Sequence, residues 1–158
     1  MTNSSEIKFG DIVMPHYQGV YGSTHRLTLD WCVRGVLPDG RRFALIVREG
    51  FTFDGASIPR ALWRICGHPL EVPRVAAALA HDWLYTAHVC DRETADTIYK
   101  AIMIAVGISS WRAAIEHAAL RLFGSRAYAA KSAGGIELAR RRGALIITPS
   151  QTPSKEES

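Results

Sequence analysis

The chain has 158 residues, 47% of them apolar, enough for one domain with a true core and too few for two. Its formal charge of +4 and pI near 9.2 are mildly basic, but the dense, aromatic-interleaved basic stripe of a nucleic-acid binder is missing. Three widely spaced cysteines without a CxxC pair exclude a disulfide framework or zinc knuckle, and no apolar run reaches the ~20 residues of a membrane span.

Residues 1–12 are polar, lack a signal-peptide pattern and read as a flexible N-terminus. Thr24–Leu37 partly alternates, with Leu27, Leu29, Trp31 and Val33 on one side, as a half-buried strand does. Pro38-Asp39-Gly40 supplies turn chemistry, and Arg41–Arg48 reads as the second strand of a β-hairpin. Ile12-Val13-Met14 and Gly19-Val20-Tyr21 are candidates for a further short strand. The loop Gly50–Pro59 leads into a short helix over Pro59–Cys66, with Ser57 or Asp54 as its N-cap.

Three longer helices follow. The first spans Val72–His88 and holds Ala76-Ala77-Ala78-Leu79-Ala80-His81-Asp82, a histidine and a carboxylate in an alanine-rich run. The second starts at Asp91, carries Ala95, Ile98, Tyr99, Ile102, Met103 and Val106 as an apolar stripe, and closes at Gly107. The third starts after Ser109-Ser110 and runs through Trp111, Ala114, Ile115, Ala118 and Leu122, with Tyr128 as a candidate continuation past a break at Gly124 and another break at Gly134-Gly135. The expected architecture is α+β: an N-terminal β-hairpin or small antiparallel sheet packed on a bundle of three to four helices. It forms a single globular domain over 13–147, and 148–158 reads as a disordered tail.

His81, Tyr85 and His88 share one helix face, and Asp82 is turned about 100° away. A histidine and the aspartate next to it therefore serve different neighbours. Asp96 lies mid-helix, where aspartate has poor propensity and no capping duty, so it is a candidate partner for His81; pairing with Arg92 at i, i+4 is the simpler alternative. Asp91 reads as an N-cap. Asp82 binds either a functional group or the backbone of the preceding loop, and Ser57 lacks a nucleophile elbow. His88 is two turns from His81, too far to share one ion with it. Cys32 and Cys90 read as small core residues.

The order Gly50-Phe51-Thr52-x-Asp54-Gly55-Ala56-Ser57-Ile58-Pro59, then His81-Asp82-x-Leu84-Tyr85, then Arg92-x-x-Ala95-Asp96 resembles the phage- and prophage-associated family called domain of unknown function 1353, over residues 25 to 124. Separately, His81-Asp82-x-x-Tyr85 followed by Cys90-Asp91-Arg92 resembles the helix pair of secretory calcium-dependent phospholipases. That resemblance implies His81 as general base for water and Asp91 or Asp96 as the carboxylate orienting it. It also implies Tyr85 bonded to that carboxylate, and Asp82, with Asp54, as calcium ligands. Leu84 stands where those phospholipases carry a cysteine, and only Gly55 remains of their glycine-rich calcium loop. Helical metal phosphohydrolases also place His-Asp on an alanine-rich helix, with His68 as a candidate upstream ligand, but no aspartate follows Asp96.

The expected function is a phage- or prophage-encoded hydrolase of ester or amide bonds in lipid or cell-wall material, with His81, Asp96 and Tyr85 as catalytic residues. Asp54, Ser57 and Arg92 form a substrate or loop network, and calcium is the only cofactor implied. The alternative is a non-catalytic virion or host-interaction protein in which the same residues form a structural polar network. The expected location is the host cytoplasm or the virion; nucleic acid is not an expected partner.

Overall fold

A computed structural model describes residues 12–55 and 72–150. Strands β1 (Tyr17–Tyr21), β2 (Thr24–Leu27) and β5 (Thr52–Phe53) form one antiparallel sheet in the order β1-β2-β5. Strands β3 (Trp31–Val36), β4 (Arg42–Val47) and β6 (Gly143–Thr148) form a second in the order β3-β4-β6. Helices α1 (Val75–Ala87), α2 (Arg92–Ala105), α3 (Ser110–Phe123), α4 (Ser125–Ala129) and α5 (Ala133–Arg141) lie between β5 and β6 in the chain. The expected α+β class holds, with two small sheets in place of one.

The hairpin of β3 and β4 forms as its sequence requires. Leu37 N–H donates to the Arg41 carbonyl at 2.8 Å, and Gly40 takes φ +84°, a left-handed conformation that costs glycine little. Val33, Phe43, Leu45 and Val47 point into the core. The single strand expected over Thr24–Leu37 is instead two strands in different sheets. Thr28 N–H bonds the His16 carbonyl, and the Asp30 carboxylate accepts Arg48 Nη1 and Glu49 N–H, so the chain turns there. Leu29, expected inward, is exposed.

Helix α1 is the buried axis of the molecule. Alanines suit a helix and let neighbours approach closely, and eleven of its thirteen positions, all but Asp82 and Thr86, are sealed. The helix begins after Pro73, three residues later than expected, and ends where His88 turns left-handed at φ +48°. Arg140 on α5 donates to the carbonyls of Ala87 and His88 at 2.8 and 3.1 Å, satisfying that end. Helix α2 is capped by Asp91, whose carboxylate accepts Thr94 N–H at 2.8 Å, and buries its stripe against α1 and α3.

Three other expectations are corrected. Gly134 and Gly135 do not break the chain; they lie in the first turn of α5, which Ser132 caps by accepting Gly135 N–H. Gly143–Thr148 form a strand no motif announced, paired along its length with β4 and including Thr148, which was expected in the tail. Cys32 is exposed on β3, facing away from the core. The helix expected over Pro59–Cys66, with Ser57, Cys66 and His68, lies outside the described residues. Among the described residues, no helix is long and apolar enough to cross a membrane.

Candidate functional site

Helices α1 and α2 pack side by side, which brings the face carrying His81 and Tyr85 onto Asp96. His81 Nε2 lies 2.9 Å from Asp96 Oδ1, and the Tyr85 hydroxyl donates to the same oxygen at 2.6 Å. Arg121 Nη1, reaching from α3, lies 3.3 Å from Oδ2. Burial alone would raise the Asp96 pKa, but the bonds from His81, Tyr85 and Arg121 outweigh it and hold the carboxyl below its usual range. An ionised Asp96 makes Nε2 the protonated ring nitrogen and leaves Nδ1 as the one able to accept a proton. Burial and the Asp96 charge push the Tyr85 phenol far above its ordinary value, so it remains a donor.

The imidazole is held between two tyrosine rings, Tyr85 at 3.9 Å and Tyr99 at 5.2 Å between centroids. Tyr99 in turn donates to Glu116 Oε2 at 2.6 Å, and Glu116 Oε1 accepts Arg74 Nη2 at 3.1 Å. Arg74 and Glu116 are buried, so each compensates a charge that would otherwise be very costly there. Gly124, between α3 and α4, admits the Tyr85 hydroxyl: a Cβ at that position would lie 2.6 Å from it.

Asp82 does a different job from its neighbour, as the 100° turn requires. Its Oδ2 accepts the amide N–H groups of Asp54 at 3.0 Å and Gly55 at 2.7 Å, clamping the end of β5 onto α1. Burial dominates and raises its pKa, the nearby Asp54 carboxylate adds to this, and the two amide bonds oppose it. Beside the clamp lies a cleft of about 330 Å³. Its described walls come from Thr24, Thr52 and Asp54 on the sheet, Asp82, Tyr85 and Thr86 on α1, and Lys131 before α5.

Among the described residues, the donor set fits calcium poorly. The loop turns amide N–H groups toward Asp82, where the phospholipase resemblance implies carbonyl oxygens, and one oxygen of Asp82 already faces two of those protons. Asp54 and Asp82 alone fall far short of the six to eight oxygens calcium takes.

The structure thus joins His81, Tyr85 and Asp96, and settles the choice of partner carboxylate, since Asp91 is spent on capping. Arg92 does not pair with Asp96; its Nη1 donates to the carbonyls of Leu120 and Arg121 at 3.2 and 3.0 Å. His88 belongs to a separate contact, stacked on Tyr128 with its Nε2 2.7 Å from that residue's carbonyl. Sequence reasoning missed Arg74, Tyr99, Glu116 and Arg121. The one available signal was Glu116, a carboxylate in phase with Ala113 and Leu120.

Fold and site together define an α+β protein with a buried imidazole–carboxylate–phenol cluster beside a polar-walled cleft. The chain belongs to the family described as Protein of unknown function (DUF1353), whose model matches residues 30–120. No curated protein and no solved structure matches it.

Proposed function

We propose that this is a hydrolase of ester or amide bonds, encoded by a phage or prophage, with His81 as its general base. One observation carries the reading: a single oxygen of Asp96 is shared by His81 Nε2 and the Tyr85 hydroxyl, which fixes the ring's orientation and tautomer and frees Nδ1 for proton transfer. The phage context comes from the family resemblance, and the division of roles among His81, Asp96 and Tyr85 follows the phospholipase resemblance. Water adds its oxygen to the substrate carbonyl carbon while Nδ1 takes its proton. That proton then passes to the departing alkoxide oxygen or amine nitrogen as the C–O or C–N bond breaks. Lipid and cell-wall material are the substrate classes, and no step is assigned to a cation.

A second reading has its own observation. His81 is only 2% exposed and Asp96 is sealed, as expected of a polar network that locks loop and helices together in a virion or host-interaction protein. Hydrolysis of ester, phospholipid and peptidoglycan substrates by the purified protein, with and without calcium, separates the two. A base role predicts a loss of about 10²-fold or more in turnover for a folded His81→Ala protein. Equal turnover in that variant removes the enzyme reading. A wild-type protein inert on every substrate, with a melting temperature lowered several degrees by His81→Ala, supports the network.

A further inference from the structure

Helix α3 faces the wrong way for an ordinary surface helix. Its buried side is Ala113, Glu116, Ala119 and Leu120, while Trp111, Ile115 and Leu122 are 55%, 37% and 73% exposed, together with Ala114 and Ala118. At 100° per residue, Trp111, Ile115, Ala118 and Leu122 fall within an arc of about 60°. The middle of the solvent-facing side is therefore apolar along the whole helix. Such a contiguous patch marks an interaction surface.

Charge decides what the surface meets. Arg112 lies about 100° to one side of Trp111 and Arg121 about 80° to the other, and Arg126 on α4 is exposed beyond them. Arg121 is turned inward onto Asp96, which leaves Arg112 and Arg126 as the exposed cations; the Arg112 guanidinium sits 5.2 Å over the Trp111 ring. The only acid in residues 110–129 is Glu116, fully buried in its pair with Arg74. The exposed side thus combines apolar residues with positive charge alone. It is also convex, a ridge about 21 Å long and at most 12 Å wide, too small for the ~800 Å² per partner of a stable dimer.

We propose that α3 docks the protein on an anionic lipid surface, with Trp111, Ile115 and Leu122 entering the acyl boundary and Arg112 and Arg126 meeting the headgroup charges. This inference is independent of the chemistry proposed for His81. Flotation with phosphatidylglycerol-containing vesicles, against pure phosphatidylcholine vesicles, tests it. The wild-type chain floats with the anionic vesicles only, and added salt weakens the association. A Trp111→Ser/Leu122→Ser variant, altered at exposed positions and confirmed folded by circular dichroism, loses binding. Arg112→Glu weakens it by about tenfold or more, each withdrawn charge being worth about fivefold. Arg34→Glu, an equal charge change on the exposed side of β3, leaves it unchanged. Absence of wild-type flotation overturns the proposal, as does flotation that the Trp111/Leu122 variant retains. A wild-type dimer that this variant dissociates would overturn it too, by assigning the ridge to a second copy.

Discussion

At the scale of single residues, Asp96 matters because one carboxylate satisfies three side chains from two neighbouring helices. Asp96→Ala leaves His81 Nε2 and the Tyr85 hydroxyl buried and unpaired, at about 1–3 kcal/mol each, so urea unfolding should show a loss of about 2–5 kcal/mol. Tyr85→Phe removes one donor from an oxygen that His81 still serves and should cost about 1 kcal/mol. Gly124→Ala should mimic Tyr85→Phe in part, because the added methyl competes with the hydroxyl for the same space. His117 gives a pH prediction. Its Nε2 is buried with no hydrogen-bond partner among the described residues, and burial, then the Lys100 charge, depress its pKa below 6.5. Arg121 acts in the same direction, against Asp96 and Glu93. The unfolded chain therefore takes up a proton near 6.5 that the folded chain resists, and stability falls as pH drops below that value. The urea midpoint should decline from pH 7.5 to pH 5.5, and His117→Asn should flatten that decline. Asp96 adds its own loss further down: its stabilisation is present above pH 3.8 and lost as pH falls through the lower folded value.

At the scale of elements, helices were more legible than strands. Helices α1 and α2 follow from an alanine-rich run, an Asp91 cap and a regular apolar stripe, all local signals. Strand β6 was missed because Gly143–Thr148 follows a helix without a hairpin turn. Its pairing with β4 depends on residues a hundred positions away. The strand alternates, Leu145 and Ile147 half-buried and Ile146 exposed. Leu145→Ala should therefore cost about 2 kcal/mol, while Ile146→Thr should stay within about 0.5 kcal/mol, in the same urea assay. The split between β2 and β3 was hidden for the opposite reason. Leu27, Leu29, Trp31 and Val33 keep strand periodicity, and only Asp30's bonds to Arg48 and Glu49 reveal the corner.

For the molecule as a whole, the sequence gathered three side chains that do meet and left out the shell around them. His81, Tyr85 and Asp96 could be joined on paper because helical spacing defines faces and Asp96 had no local duty. Arg74, Tyr99, Glu116 and Arg121 could not, because their roles arise only when three helices meet. The basic run Arg140-Arg141-Arg142 illustrates the same limit: composition counts it as charge excess, yet Arg140 closes the end of α1 and Arg142 donates to the Glu49 carbonyl at 2.6 Å.

The inward carboxylate of Glu116 has a mechanical consequence. Apolarity alone would roll α3 by half a turn, hiding Trp111 and Leu122 and leaving Glu116 in water. The bonds from Arg74 and Tyr99 act as a key in a keyway against that roll. Arg74→Met alone, which leaves the Glu116 carboxylate buried without its cation, should favour the roll, and iodide should then quench less of the fluorescence from Trp111.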